Sequence, residues 1–314
     1  MTRCVLAMVA LTTVGCTAAP SDRLTWRESW ELIVLTGGGQ VVDARMTVGN
    51  TGLLRGQGHL RLDRWAEGTS PIHHHRRAAP GETGVWPERE RVRMGADRLD
   101  LERHTWTLRV HSDDAQGVIH LAPTDALKVA PAVGMTPTGQ WSMTASVPTG
   151  RASGWVEAGK RGGQVDGRGF LLYRGGDGMP RGARRTLLLQ GGDLSVGLEE
   201  HGDLTLAWLH TGGAALDTTG ARLVETREGW VASFPEAEAT VTLVGRDVGG
   251  STPVRTDLMG PERLAPWALG QRSTRTVQAV QGTVVRPGST QIVPGVLIQV
   301  TDDGEQARVR RRRR

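Results

Sequence analysis

Residues 30–48 read WELIVLTGGGQVVDARMTV, and their pattern decides the fold class. Val42, Ala44, Met46 and Val48 are apolar, and Asp43, Arg45 and Thr47 alternate with them. A period of two belongs to a strand with one face on a core and the other on water. Gly37-Gly38-Gly39 precedes this strand as a hairpin turn and joins it to the run Trp30 to Leu35. The pair predicts the start of an antiparallel meander.

The same period returns in Trp106 to Val110, in Trp141 to Val147, and in Leu194 to Leu198 and Leu204 to Trp208 on either side of a turn at Glu199 to Gly202. Arg222 to Phe234, Thr240 to Val244 and Val293 to Val300 continue it. Glycine fills 43 of 314 positions, which disfavours helix interiors and supplies turns. Many short strands between Gly-rich turns predict an all-β chain built as sandwiches or barrels. Pro148-Thr149-Gly150 interrupts the pattern, so two domains are expected, 27–149 and 150–307, each of ordinary size. The stretches Ala66 to Pro87 and Gly249 to Gln271 read as loops.

The ends of the chain carry a different message. Arg3, the apolar run Val5 to Val14 and Gly15 lead to Cys16, the layout of a secretory signal too short to span a bilayer. Thr13-Val14-Gly15-Cys16 resembles the lipobox of bacterial lipoproteins, in which cleavage precedes a diacylglyceryl-modified cysteine. Residues 1–15 are thus expected to be removed, Cys16 to carry the lipid, and 16–26 to form a lipidated linker. Cys4 lies in the discarded segment, which leaves Cys16 without a disulfide partner. Two or three acyl chains hold a protein firmly at a membrane, so a Cys16 that carries lipid, palmitate among its chains, is expected to serve as the anchor. An ordinary signal peptide with an incidental cysteine is the alternative. The expected location is the cell envelope, membrane-anchored and facing the periplasm or the cell surface.

The net charge of +5 is a property of the tail 308–314, because six of its residues are arginines. Without them and Arg3 the chain has 31 basic against 33 acidic residues, so the body is slightly acidic. The tail reads as a solvated terminus or a contact for anionic lipid rather than a nucleic-acid site, and nucleic acid is not expected as a partner.

Candidate chemistry is sparse. His73-His74-His75 precede Arg76-Arg77, but adjacent residues of an extended segment point to opposite faces, so an exposed loop is expected and no metal site. His104 shares the parity of Trp106, Leu108 and Val110 and is expected to face the same interior, while His120 and His210 are in phase with Val118 and Trp208. Glu28 and Glu31 read as solvated strand charges. No Gly-x-Ser-x-Gly elbow, P-loop lysine or His-Glu-x-x-His pair occurs, so no catalytic residue and no cofactor is assigned. Ten tryptophans stand against two phenylalanines and one tyrosine, and they either fill cores or line a cavity for an apolar ligand.

Several segments together resemble the two-barrel lipocalin-type superfamily of carotenoid 1,2-hydratases, AttH-like proteins and fungal survival factors. Glu28-Ser29-Trp30-Glu31-Leu32 and Met46-Thr47-Val48-Gly49-Asn50 are similar to its opening hairpin, and Leu99 to Leu121 is a looser match. Gly154-Trp155-Val156-Glu157, through Val165-Asp166-Gly167-Arg168-Gly169-Phe170 to Gly178-Met179-Pro180, is similar to the stretch that opens the second barrel. The resemblance implies two consecutive lipocalin-like antiparallel β-barrels. In hydratase-like members an acidic residue and a histidine follow the Gly-x-Gly-aromatic stretch, where this chain has Leu172 and Tyr173. Neither is suited to acid–base work near neutral pH. The expected function is therefore a membrane-anchored protein that binds or carries a lipid or isoprenoid in a barrel cavity. Trp30, His104, Trp106, Trp141, Trp155, Tyr173 and Trp208 are the candidate ligand contacts. A hydratase- or isomerase-like enzyme for a hydrophobic substrate, or a ligand-free β scaffold, are the rivals.

Overall fold

The computed structural model describes residues 26–302, without 254–272 and the short stretches 52–53, 68, 70, 87–89, 125–126, 137–138, 160, 178–179, 181–182, 213 and 228. The signal segment, Cys16, the basic tail and most of the expected loop 249–271 lie outside the described residues. Among the described residues the regular structure is strand, with two one-turn 3₁₀ segments.

The strands of the first sheet are β1 (Trp26–Thr36), β2 (Val41–Thr51), β3 (Leu54–Trp65), β4 (Ile72–Ala78), β5 (Thr83–Trp86), β6 (Arg91–Met94), β7 (Asp97–Glu102), β8 (Thr105–His111), β9 (Ala115–Pro123), β10 (Ala132–Thr136), β11 (Gly139–Ala158) and β12 (Arg161–Asp177). Those of the second are β13 (Arg184–Gly191), β14 (Leu194–His201), β15 (Leu204–Thr211), β16 (Ala214–Leu216), β17 (Arg222–Glu225), β18 (Trp230–Phe234), β19 (Ala239–Pro253), β20 (Ser273–Arg286) and β21 (Ser289–Asp302).

Both sheets are antiparallel and share one plan. In the first, β1 pairs with β12, and the open ends of the sheet are β4 and β5. In the second, β13 pairs with β21, and the open ends are β16 and β17. Each is a meander whose first and last strands are zipped together, with its seam after the fourth strand. Across the first seam the Thr83 hydroxyl donates to the Gly56 carbonyl, which brings the barrel close to closure. Across the second, the Leu223 amide donates to Glu200 Oε1 at 2.9 Å, so this sheet curls without zipping along the seam.

Alternation decides what each strand contributes. On β1 the even positions Trp26, Trp30, Leu32 and Val34 enter the core of the first barrel. The odd positions Ile33 and Leu35 enter a separate apolar layer with Trp141, Phe170, Leu172, Leu188, Trp208, Val296 and Ile298, which joins the outer face of the first barrel to the second sheet. The second sheet keeps its own interior, with Leu187, Leu189, Val196, Leu198, Phe234 and Val241.

The interruption at Pro148-Thr149-Gly150 is a bulge inside β11, where the register shifts between Ala145 and Val147 and again between Val147 and Gly150. The extra residues turn the strand's faces over. Trp141, Met143 and Ala145 meet the second sheet, whereas Val147, Ala152 and Val156 face the barrel interior. The passage from one sheet to the next comes later, between Asp177 and Arg184. For the same reason Gly167-Arg168-Gly169-Phe170, expected to open the second barrel, belongs to β12 and completes the first. Much of the loop expected at 66–87 is also ordered, as β4 and β5.

Candidate functional site

The seven candidate contacts do not form one wall. Trp30, Trp106 and Tyr173 lie inside the first barrel. Trp141 and Trp208 fill the layer between the sheets, and Trp155 is 39% exposed on the outer surface. His104 is an exposed turn residue between β7 and β8, in left-handed conformation with Arg103. Its apparent phase with Trp106 runs past the end of the strand, so it does not face the interior. His120 is exposed and bonds Thr107 at 3.1 Å, because the inward residues of β9 are Ala115, Gly117, Ile119 and Leu121.

The histidine triplet is strand, not loop, and its members diverge. His73 Nδ1 bonds Asp63 at 2.8 Å, His75 stacks on His59, and His74 is buried. Among the described residues no group of three or more histidine, cysteine, aspartate or glutamate side chains is arranged to hold a metal ion.

Inside the first barrel, Trp30 and Tyr173 are cross-strand partners with ring centroids 5.4 Å apart. Glu28 shares their face and is buried. Burial, reinforced by the charge of Glu28 and a hydrogen bond to it, drives the Tyr173 phenol far above its usual range, so Tyr173 remains a donor to Glu28. Gly175 makes room for the pair, since a Cβ there would collide with the Tyr173 hydroxyl.

The larger surprise is on the other face of β1. Glu31, expected in solvent, is fully buried between the sheets. It accepts from Arg45 on β2, from Arg275 on β20 at 2.6 Å, and stands 2.6 Å from Arg174 Nη1 on β12. Arg174 grips Glu199 of β14 in a two-point ion pair, and Thr186 donates to the same carboxylate at 3.2 Å. Arg275 also donates to Asp43, and Arg184 Nη2 lies 3.5 Å from Glu31. Burial alone would raise the Glu31 carboxyl, but Arg45, Arg174, Arg184 and Arg275 together hold it well below the usual range. Asp43, with weaker compensation from Arg275, is raised to about 6 by burial. Burial lowers Arg184 to about 9 and His201 to about 4. Each acid is spoken for by guanidinium groups, so the cluster fixes one sheet on the other rather than offering a reactive group.

Elsewhere the two sheets part in an open cleft of about 730 Å³. Leu35, Val244, Ala279, Val280 and Pro294 supply apolar walls, and Arg151, Asp166, Arg168 and Gln281 stand among the polar ones. Val244 is 67% exposed in it. The strand pattern marks these residues only as members of different strands, so the sequence carried no sign that they converge.

No known family profile matches the chain, and no curated protein matches it in sequence. Solved structures do match in shape. An AttH protein of Nitrosomonas europaea superposes with TM-score 0.59 at 12% identity, over 88% of this chain and 92% of its own. Kievitone hydratase of Nectria haematococca superposes with TM-score 0.53 at 9% identity, over 91% of this chain and 92% of its own. The fold is the lipocalin-like barrel fold of these two structures, as the resemblance in sequence implied.

Proposed function

We propose that this chain is a membrane-anchored binding protein for a lipid or isoprenoid, and that the ligand lies in the cleft between the sheets. The observation that carries the reading is the cleft itself: about 730 Å³, with Leu35, Val244, Ala279 and Val280 among its walls. Its volume is that of a small-molecule site, and apolar walls interspersed with Arg151, Asp166, Arg168 and Gln281 suit an amphiphile with both greasy and polar parts. We place the ligand in this cleft rather than in the barrel cavity expected from the sequence, since Trp30, Trp106 and Tyr173 pack within the first core. An acyl anchor on Cys16 would keep the protein beside a membrane that holds such ligands.

Native mass spectrometry of protein purified from its own membrane, with extraction of co-purifying lipid, tests the binding. A bound mass that extracts as lipid is expected. Spectra that stay empty after lipid and isoprenoid panels are offered would end the reading. Cys16→Ser should move the protein from the membrane to the soluble fraction, and unchanged membrane recovery would remove the anchor.

One observation favours a hydratase-like enzyme instead, the buried Glu28–Tyr173 pair in the first barrel. A carboxyl in an apolar box could serve as the general acid or base of a hydration, with the Tyr173 hydroxyl orienting it. Incubation with isoprenoid alkenes should then yield a product heavier by one water, abolished by Tyr173→Phe. Wild-type protein that leaves the alkenes unchanged counts against the enzyme.

A further inference from the structure

Gln190, Ser195 and His210 stand directly opposite one another across β13, β14 and β15. The row faces the first sheet, because Leu188 and Trp208, on the same faces of their strands, belong to the layer between the sheets. Opposite it is the bulge of β11, where the Ser195 hydroxyl donates to the Pro148 carbonyl at 3.0 Å. A pocket of about 270 Å³ lies here, lined in part by Thr124, Thr149, Gln190, Asp193, Ser195 and His210. Thr124 and Gln190 also line the larger cleft, so the two spaces adjoin.

The members of the row differ in what they still need. Ser195 is satisfied, giving its proton to Pro148 and accepting from Trp208 Nε1 at 3.1 Å, so it is no nucleophile for His210. Gln190 Oε1 and His210 Nδ1 are buried without a hydrogen-bond partner, and His210 as a whole is 6% exposed. Orphaned polar atoms at that depth are rare in folded proteins and ask for a partner. Among the described residues no lysine or arginine lines this pocket, and the one charged residue is the exposed carboxylate of Asp193. An anionic head would meet no counter-ion, and a cationic one would lose its water against neutral groups at the buried end. A hydroxyl both donates and accepts, so it fits Gln190 and His210 whichever way the amide and the imidazole proton are placed.

We propose that this pocket holds the uncharged, hydroxyl-bearing head of an amphiphile whose apolar body occupies the adjoining cleft. The inference rests on the ligand reading of the cleft and specifies its class: a long-chain or isoprenoid alcohol, or an acylglycerol with free hydroxyls, rather than a fatty acid or a hydrocarbon.

The test uses the full chain with N-phenyl-1-naphthylamine as an apolar fluorophore, displaced by dodecan-1-ol, dodecane or dodecanoate. Dodecan-1-ol should displace it at about tenfold lower concentration than the other two, the size of one well-made hydrogen bond. Gln190→Leu and His210→Leu, each checked for an unchanged circular dichroism spectrum, should each erase that advantage and leave the dodecane curve in place. An advantage that survives both substitutions, or tighter binding of dodecanoate, overturns the head pocket and leaves the cleft standing. Fluorophore binding that is absent, or unaffected by Val244→Glu in the cleft, overturns the cleft reading and this inference with it.

Discussion

Glu31 and Arg275 are 244 positions apart in the chain, yet Arg275 Nη2 donates to Glu31 Oε1 at 2.6 Å. The bond joins β1 of the first sheet to β20 of the second, and both side chains are fully buried. An ion pair so enclosed loses hydration on both sides and recovers it only through complete pairing.

Removing one partner should therefore cost more than the bond is worth. Glu31→Gln leaves Arg45, Arg174, Arg184 and Arg275 facing a neutral amide. The expected loss is about 3–5 kcal/mol in urea unfolding. A variant as stable as the wild type would show that the arginines are satisfied elsewhere.

Acid should loosen the same layer through His201. Its register partner on β13 is Arg184, and Glu199, Arg174 and Arg27 also act on it. Burial first, then Arg184, lowers the imidazole from 6.5 to about 4. The unfolded chain takes up this proton first, so the contribution is complete above pH 6.5 and is lost as pH falls towards about 4, by up to about 3 kcal/mol. Asp43 acts with the opposite sign: raised from 3.8 to about 6, it favours folding below 3.8 and loses that contribution as pH rises through about 6. The difference between wild type and His201→Gln isolates the histidine. Parallel stability curves from pH 7 to 4 would refute its role.

Gly197 sits under the indole of Trp208, its cross-strand partner, and an added Cβ there would collide with the ring. Gly197→Val should displace Trp208, break its bond to Ser195 and cost about 1–3 kcal/mol by overpacking. Thermal unfolding and tryptophan emission both read this out, and an unshifted melting curve would mean that the ring moves freely.

Tyr173→Phe withdraws a hydrogen bond from buried Glu28. A loss of about 1–3 kcal/mol is expected, recovered in part when Glu28→Gln is added, because an amide tolerates burial better than a carboxylate. Additive effects in that double-mutant cycle would dissolve the pair.

The strands were legible because alternation is a local signal: Val42, Ala44, Met46 and Val48 do share the barrel interior. What alternation cannot say is what covers the opposite face. Asp43, Arg45 and Glu31 read as solvated because the second sheet that buries them is built from residues after 183. Cross-strand register held one hint, since Glu31 faces Arg45 directly. Arg174, Arg184, Glu199 and Arg275 come from strands that no local pattern brings together. The bulge at 145–150 is visible as a broken rhythm and reads as a domain boundary, because inserting residues into a strand and ending one look alike in sequence. His104 failed for a simpler reason: parity was carried through a turn.

The zipping of β1 to β12 sets a hazard for the growing polypeptide. Synthesis delivers Trp26–Thr36 early and its partner Arg161–Asp177 last in that barrel. Until then β1 has β2 on one side and a bare row of amides and carbonyls on the other, an invitation to strands of other nascent chains. Chaperone protection therefore matters most between the emergence of those two segments, and a permuted gene cut at the β4–β5 seam, with the original ends tethered, should shorten that wait.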